Sequence, residues 1–311
     1  MKRDILFGLL FLLPVFGLQA QRIDVTGTVI IPTEESRYMA PQFSPDGDKI
    51  LFTEFGYKGL WLYDLKHKAL TQINAYAGAG YEPAFTEDGK KVVFRVDEYR
   101  KMRRYTALAV QTLGDQQVKY LSEKTRHLSP VLHLEPNRVL AVAEKRIQAY
   151  SLELAKPVQS VKSHAPLVYI EDQNIALFQN GELRLLAPLG KGNYIWPSLS
   201  PDHNRILFTI AGRGSYISDL DGKIIAELGV ARAPRWSPDG KWVVCMVDED
   251  DGHVITASDL WVVGAAGAPR IRLTHTTNRI EMHPNWSPDM SKIAFDTEDG
   301  QIGYLTIEII N

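Results

Sequence analysis

The sequence predicts an all-β protein, a single β-propeller of four-stranded antiparallel blades, with seven blades favoured and six the alternative. Three observations carry this expectation. A short turn unit recurs from one end of the chain to the other, as Pro41-Gln42-Phe43-Ser44-Pro45-Asp46-Gly47, Pro234-Arg235-Trp236-Ser237-Pro238-Asp239-Gly240 and Pro284-Asn285-Trp286-Ser287-Pro288-Asp289. Each copy is followed by runs of strand formers, such as Ile50-Leu51-Phe52, Ile206-Leu207-Phe208 and Ile293-Ala294-Phe295. The repeat prolines recur about every 40 residues, the length of one blade.

Residues 1–20 stand apart from the repeats. Lys2 and Arg3 precede an apolar run over residues 5–18, and Leu18-Gln19-Ala20 supplies a small residue for cleavage before Gln21. This is the pattern of a secretory signal peptide. The apolar run is shorter than the roughly 20 residues needed to span a bilayer, so no transmembrane segment is expected after cleavage. Residues 21–311 then form the propeller. Ile23 to Ile31 reads as a strand, expected to complete the last blade and close the ring.

Within each repeat, proline sets φ at the second turn position, aspartate suits the third and glycine closes the fourth. Each Ser-Pro-Asp-Gly is therefore read as a hairpin turn, not as a carboxylate site. Third strands follow, as in Leu60-Trp61-Leu62-Tyr63 and Leu260-Trp261-Val262-Val263, then short fourth strands such as Ile271-Arg272-Leu273-Thr274. Looser copies of the unit begin at Pro83 and Pro197. The units at Pro130 and Pro166 keep only its outline, and the last of these is short, which is why six blades remain the alternative.

Composition narrows the function. The 311-residue chain has a formal net charge of -2 and no basic excess, which argues against nucleic acid. Cys245 is the single cysteine, so no internal disulfide can form, and it is read as a small buried apolar residue.

Propellers bind over the central channel, and the residues just ahead of each repeat proline are expected to ring its mouth. The candidate binding residues are Arg37, Tyr38, Tyr81, Glu82, Arg126, His127, Tyr194, Arg232, Glu281 and His283. Two long connecting loops are expected beside them. Residues 95–106 carry a basic cluster (Arg100, Lys101, Arg103, Arg104), and residues 248–258 an acidic one (Asp248, Glu249, Asp250, Asp251). The basic loop suits an acidic partner. Calcium is the one cofactor considered for the loop from Asp248 to Asp251. Its carboxylates lack EF-hand spacing, however, and a local turn or a salt link is favoured. His127, His133, His164 and His283 show no metal-ligand spacing, and no catalytic residue or metal ligand is assigned.

Pro-x-aromatic-Ser-Pro-Asp-Gly, followed by an Ile/Val-x-Phe strand and a Leu-Trp-Val-Val-like strand, resembles the TolB-like propeller repeat, a WD40-like Pro-Asp repeat. The resemblance covers most of residues 21–311 and implies the fold more strongly than an activity. TolB carries an α/β domain ahead of its propeller; here the first repeat begins about 20 residues after the signal peptide, so that domain is not expected. Peptidases with related propellers carry a hydrolase domain, and no Gly-x-Ser-x-Gly elbow is present. The expectation is an exported bacterial protein, periplasmic or secreted. It acts as a non-catalytic platform for a protein or cell-envelope polymer. The alternative is a lyase or hydrolase on anionic oligosaccharides.

Overall fold

The computed structural model describes residues 22–33, 37–158, 163 and 165–310. The proposed signal peptide, 1–20, lies outside the described residues, as does His164. Among the described residues every regular element is a strand, and the strands form seven sheets.

The chain enters through β1 (Arg22–Ile30). Blade 1 follows as β2 (Tyr38–Phe43), β3 (Lys49–Glu54), β4 (Lys58–Asp64) and β5 (Ala69–Ala77). Blade 2 is β6 (Ala84–Phe85), β7 (Lys91–Arg100), β8 (Arg103–Thr112) and β9 (Val118–Tyr120). Blade 3 is β10 (His133–Glu135), β11 (Arg138–Ala143), β12 (Arg146–Ser151) and β13 (Lys156–Val158). Blade 4 is β14 (Leu167–Glu171), β15 (Asn174–Gln179) and β16 (Glu182–Leu186). Blade 5 is β17 (Tyr194–Leu199), β18 (Arg205–Ile210), β19 (Gly214–Asp219) and β20 (Ile224–Gly229). Blade 6 is β21 (Arg232–Trp236), β22 (Trp242–Asp250), β23 (Ile255–Gly264) and β24 (Arg270–Arg272). Blade 7 is β25 (Glu281–Trp286), β26 (Lys292–Thr297) and β27 (Ile302–Ile310), and β1 pairs antiparallel with β27 as its fourth strand. The expected seven blades and the closure by the N-terminal strand are both present.

Blade 4 has three strands where its sisters have four. After β16 the chain runs into Ala187-Pro188-Leu189-Gly190. Pro188 has no N–H to give to a ladder, and Gly190 turns at φ 76°.

The hydrophobic core is a set of seven wedges, one between each pair of neighbouring blades. Val244, Met246 and Leu260 of blade 6 meet Ile293, Phe295 and Leu305 of blade 7, for example, and Phe52 and Tyr63 of blade 1 meet Ala294 and Ile302. Second strands are therefore covered on both faces and read as unbroken apolar runs. Phe52, Phe94, Phe208 and Phe295 hold one equivalent position in four blades, each essentially solvent-free. Burying each contributes about 1.5–3 kcal/mol. Cys245 holds that position in blade 6, also fully buried, where Trp236 and Trp261 fill the wedge.

The turn reading of the repeat holds atom by atom. In Ser44-Pro45-Asp46-Gly47, the Gly47 N–H donates to Ser44 O, the Ser44 hydroxyl donates to Asp46, and Asp46 accepts the Asp48 N–H. The same bonds recur around Ser237 and Asp239 and around Ser287 and Asp289. Each aspartate is consumed by its own turn. The fourth residue needs positive φ, met by Gly47 and Gly240 and, without glycine, by His203 and Met290.

Candidate functional site

The innermost strand of each blade begins at the channel mouth and runs toward the Pro-Asp turns. In five blades it begins with the same distortion. Ala40, Glu82, Trp196, Ala233 and His283 each directly precede the repeat proline, and each has a left-handed φ between 46° and 54°. A residue before proline ordinarily stays extended, and a non-glycine residue in the left-handed region costs about 1–3 kcal/mol. Where the ladder can be followed, the register skips there, between Met39 and Gln42, Ile195 and Ser198, Arg232 and Arg235, and Met282 and Asn285. These are bulges, and a bulge re-aims the side chain it carries.

Blade 7 anchors the bulge of blade 1. Asp296 is fully buried and accepts the Ala40 N–H at 2.8 Å. It also holds the His283 ring, with Nδ1 3.0 Å from both carboxylate oxygens. Burial opposes protonation of His283, but the hydrogen bond and the charge of Asp296 outweigh it and keep the pKa above the ordinary histidine value. The equivalent second-strand position holds Thr53 in blade 1, Thr209 in blade 5 and Arg95 in blade 2. Arg95 is buried beneath Tyr81, its guanidinium 4.4 Å from the ring centre, and donates to Leu128 O at 3.2 Å. Tyr57, on the turn from β3 to β4, packs edge-on to Tyr81 at 5.1 Å. Burial raises the pKa of both phenols, so both remain hydroxyl donors at neutral pH.

The ten residues expected at the mouth divide into two groups. Arg37, Glu82, Arg126, His127 and Arg232 are exposed, and Tyr81 and His283 are half-buried. Arg37 lies over the Phe55 ring and donates to Glu298 O. Arg126 lies over Tyr105. Glu144 accepts the backbone N–H groups of Arg126 and His127. The other three, Tyr38, Tyr194 and Glu281, are buried within the blades. Tyr38 packs on Phe52 and Trp61, and Tyr194 donates to Gly190 O and accepts the Leu189 N–H. Glu281 is held by Arg279, Thr274 and Thr276. Trp196, absent from the expected set, is 41% exposed at the bulge of blade 5. Its signal is its place directly before Pro197. The signal for Asp296 is a carboxylate in an otherwise apolar Ile-Ala-Phe strand.

The two long loops are not loops. β7 and β8 stay paired from Arg95 opposite Leu108 to Arg100 opposite Arg103, and turn at Lys101 and Met102. β22 and β23 stay paired to Asp250 opposite Ile255. Ladder bonds continue through polar sequence because ion pairs beside and across the strands support it: Glu98 holds Arg100 and Lys124, and Arg232 holds Asp248 at 2.8 Å and Asp250 at 3.4 Å. Asp250 accepts the Gly252 N–H, and Asp251 accepts those of His253 and Val254. Asp248 is buried, and that burial raises its pKa against the opposing charge of Arg232.

The histidines are dispersed. His127 leads into blade 3 and His283 sits in blade 7. His133 lines a cavity of about 480 Å³ on blade 3, with Glu135, Pro136, Ala165, Pro166 and His203. Among the described residues no three His, Cys, Asp or Glu side chains are grouped to hold a metal ion. Nor, among these residues, is any helix long and apolar enough to cross a membrane.

No family model matches the chain, and no curated protein matches it. Among solved structures it is similar to TolB from Acinetobacter baumannii, at 18% identity and a TM-score of 0.54, over 83% of this chain. The match spans 59% of that TolB chain. The likeness is one of fold, a β-propeller; the count of seven blades rests on this chain's own sheets.

Proposed function

We propose that the chain is exported, loses residues 1–20, and serves in the periplasm or outside the cell as a non-catalytic platform. A protein or cell-envelope polymer docks over the mouth of its channel. The observation that carries this reading is the left-handed residue that precedes the repeat proline at the mouth of five blades, seated in a bulge in the four where the ladder can be followed. Backbone strain of this kind persists where surrounding structure fixes a side chain for use. Around the bulges stand an exposed Trp196 and the exposed arginines Arg37, Arg126 and Arg232, residue types that dominate binding hot spots. Tyr38, Tyr194 and Glu281 support the mouth from within.

The test is capture from envelope extract with residues 21–311 as bait, beside a bait carrying Arg37→Ala, Trp196→Ala and Arg232→Ala. One partner retained by the first bait and lost from the second is the expected result. Identical background on both baits overturns the reading. Export is checked separately by sequencing the N-terminus of the protein recovered from the periplasm, which should begin at Gln21.

One observation favours the alternative, an enzyme on anionic oligosaccharides. His283, oriented by buried Asp296, has the arrangement of a general acid or base. An activity screen that is positive for the wild type and abolished in His283→Ala would move the assignment there.

A further inference from the structure

Two hairpins overrun the mouth face. Leu51, Val93 and Val244 are equivalent, each opposite the residue after its repeat proline. From there β3 continues to Glu54, β7 to Arg100 and β22 to Asp250. At about 3.3 Å per residue, the blade 2 hairpin stands roughly 13 Å above the level of blade 1, and the blade 6 hairpin roughly 10 Å. The order of wedges around the ring puts blades 1 and 7 between them on the short side, so the two posts face each other across the mouth.

The posts carry opposite charge. The blade 2 post bears Arg100, Lys101, Arg103 and Arg104, and its acidic groups are already engaged: Glu98 by Arg100 and Lys124, Asp97 by Thr106 and Arg104. Lys101 and Arg103, at the tip, enter no ion pair among the described residues. The blade 6 post bears Glu249, Asp250 and Asp251, and Glu249 and Asp251 likewise enter no ion pair among these residues. Apolar side chains are exposed at both tips: Met102 completely, with Tyr99 on one post and Val254 on the other. Phe55, 70% exposed, lies on the rim turn of blade 1 against Arg37.

From this arrangement we infer that the mouth face pairs with the mouth face of a second copy about a two-fold axis. The basic post of each copy lies against the acidic post of the other. A two-fold axis parallel to the face and perpendicular to the line between the posts brings each post over its opposite. A surface with unlike charges at opposite ends is self-complementary under that operation, and contact between the tips removes Met102, Tyr99 and Val254 from water. The inference does not rest on the platform reading, since it needs no other partner.

Sedimentation velocity on the wild type tests it. A dimer is expected at about 50 mM salt, weakened at least ~tenfold at about 500 mM, where screening cuts the reach of the exposed unlike charges to about 4 Å. Lys101→Glu with Arg103→Glu makes both tips acidic. Glu249→Lys with His253→Lys makes the blade 6 tip net basic, so that both tips are basic, while Asp250 stays with Arg232 and the Gly252 N–H and Asp251 stays to cap its turn. Each variant alone should be monomeric, while an equimolar mixture should form a one-to-one heterodimer. Thermal unfolding at about 500 mM salt, where association contributes least, should match the wild type and shows that each variant is folded. A wild type that is monomeric at low salt, a dimer that survives either variant, or a mixture that stays monomeric overturns the inference. Both variants keep Arg37, Trp196, Arg232 and His283, and as monomers they leave the mouth uncovered, so capture of a partner at the mouth is scored on the variants, apart from the dimer.

Discussion

Asp296→Asn separates the charge pairing of Asp296 with His283 from the hydrogen bond that joins blades 7 and 1. The amide keeps an oxygen for the Ala40 N–H, which Asp296 accepts at 2.8 Å, but removes the charge that holds His283 protonated. Hydrogen bonds to charged groups are worth about 1.5–3 kcal/mol. His283 is 37% exposed, so solvent screening reduces this, and about 1–2 kcal/mol is expected at low pH. The sign follows from linkage. A histidine whose pKa is raised by folding stabilises the fold fully below its unfolded value, 6.5, and loses that contribution as pH rises through the folded value. The substitution should therefore lower Tm by about 2–5 °C at pH 5.5 and by less at pH 8.5. Thermal unfolding monitored by circular dichroism, wild type beside variant at both pH values, measures it. An equal or larger loss at pH 8.5 would refute the idea that Asp296 holds a protonated His283 and gains stability from it.

Three further outcomes are expected. Asp289 is depressed to about 2, with its hydrogen bonds to Ser287 and Ser291 outweighing burial, so its contribution should fade as pH falls from about 4 toward 2. Comparison with Asp289→Asn in acid titrations of stability shows this as a difference that vanishes at the acid end. Gly264→Ala would place a methyl group 2.1 Å from Ala268 O, so a loss of about 2–3 kcal/mol is expected in urea unfolding. Burial pushes the Cys245 thiol up to about 12; it should be inert to a thiol reagent in the native protein and react stoichiometrically in urea.

The blade repeat was legible in sequence because the turn is local. Proline, aspartate and glycine fix its geometry without help from distant residues, and the Ile-x-Phe strands that follow declare burial on two faces. The three-stranded blade showed itself only as a short unit at Pro166, because Pro188 ends the ladder by what it lacks. Of the residues chosen for their nearness to the repeat prolines, Arg37, Glu82, Arg126, His127 and Arg232 are exposed, as sequence led one to expect. Sequence misjudged the depth of Tyr38, Tyr194 and Glu281, because a bulge of one residue decides which neighbour faces the channel and which the wedge. Asp296 meets His283 within the blade 7 hairpin, where the bulge decides which residue faces it, and meets Ala40 only once the ring has closed, so neither pairing followed from a local rule. The two charged stretches read as loops because polar residues mask a strand whose ladder is supported by its own ion pairs.

The seam between β1 and β27 joins parts of the chain some 280 residues apart, as in the bond from the Thr26 hydroxyl to Thr306 O. β1 is made first and its partner last. At about 5–20 residues per second, it waits roughly 15–60 s on the ribosome before a partner exists. Throughout that interval Ile23, buried against blades 6 and 7 in the closed ring, has no wedge to enter, and both edges of the strand are open. The same join that leaves the finished ring without a free end thus makes the newborn chain a client for whatever shields extended apolar segments during synthesis.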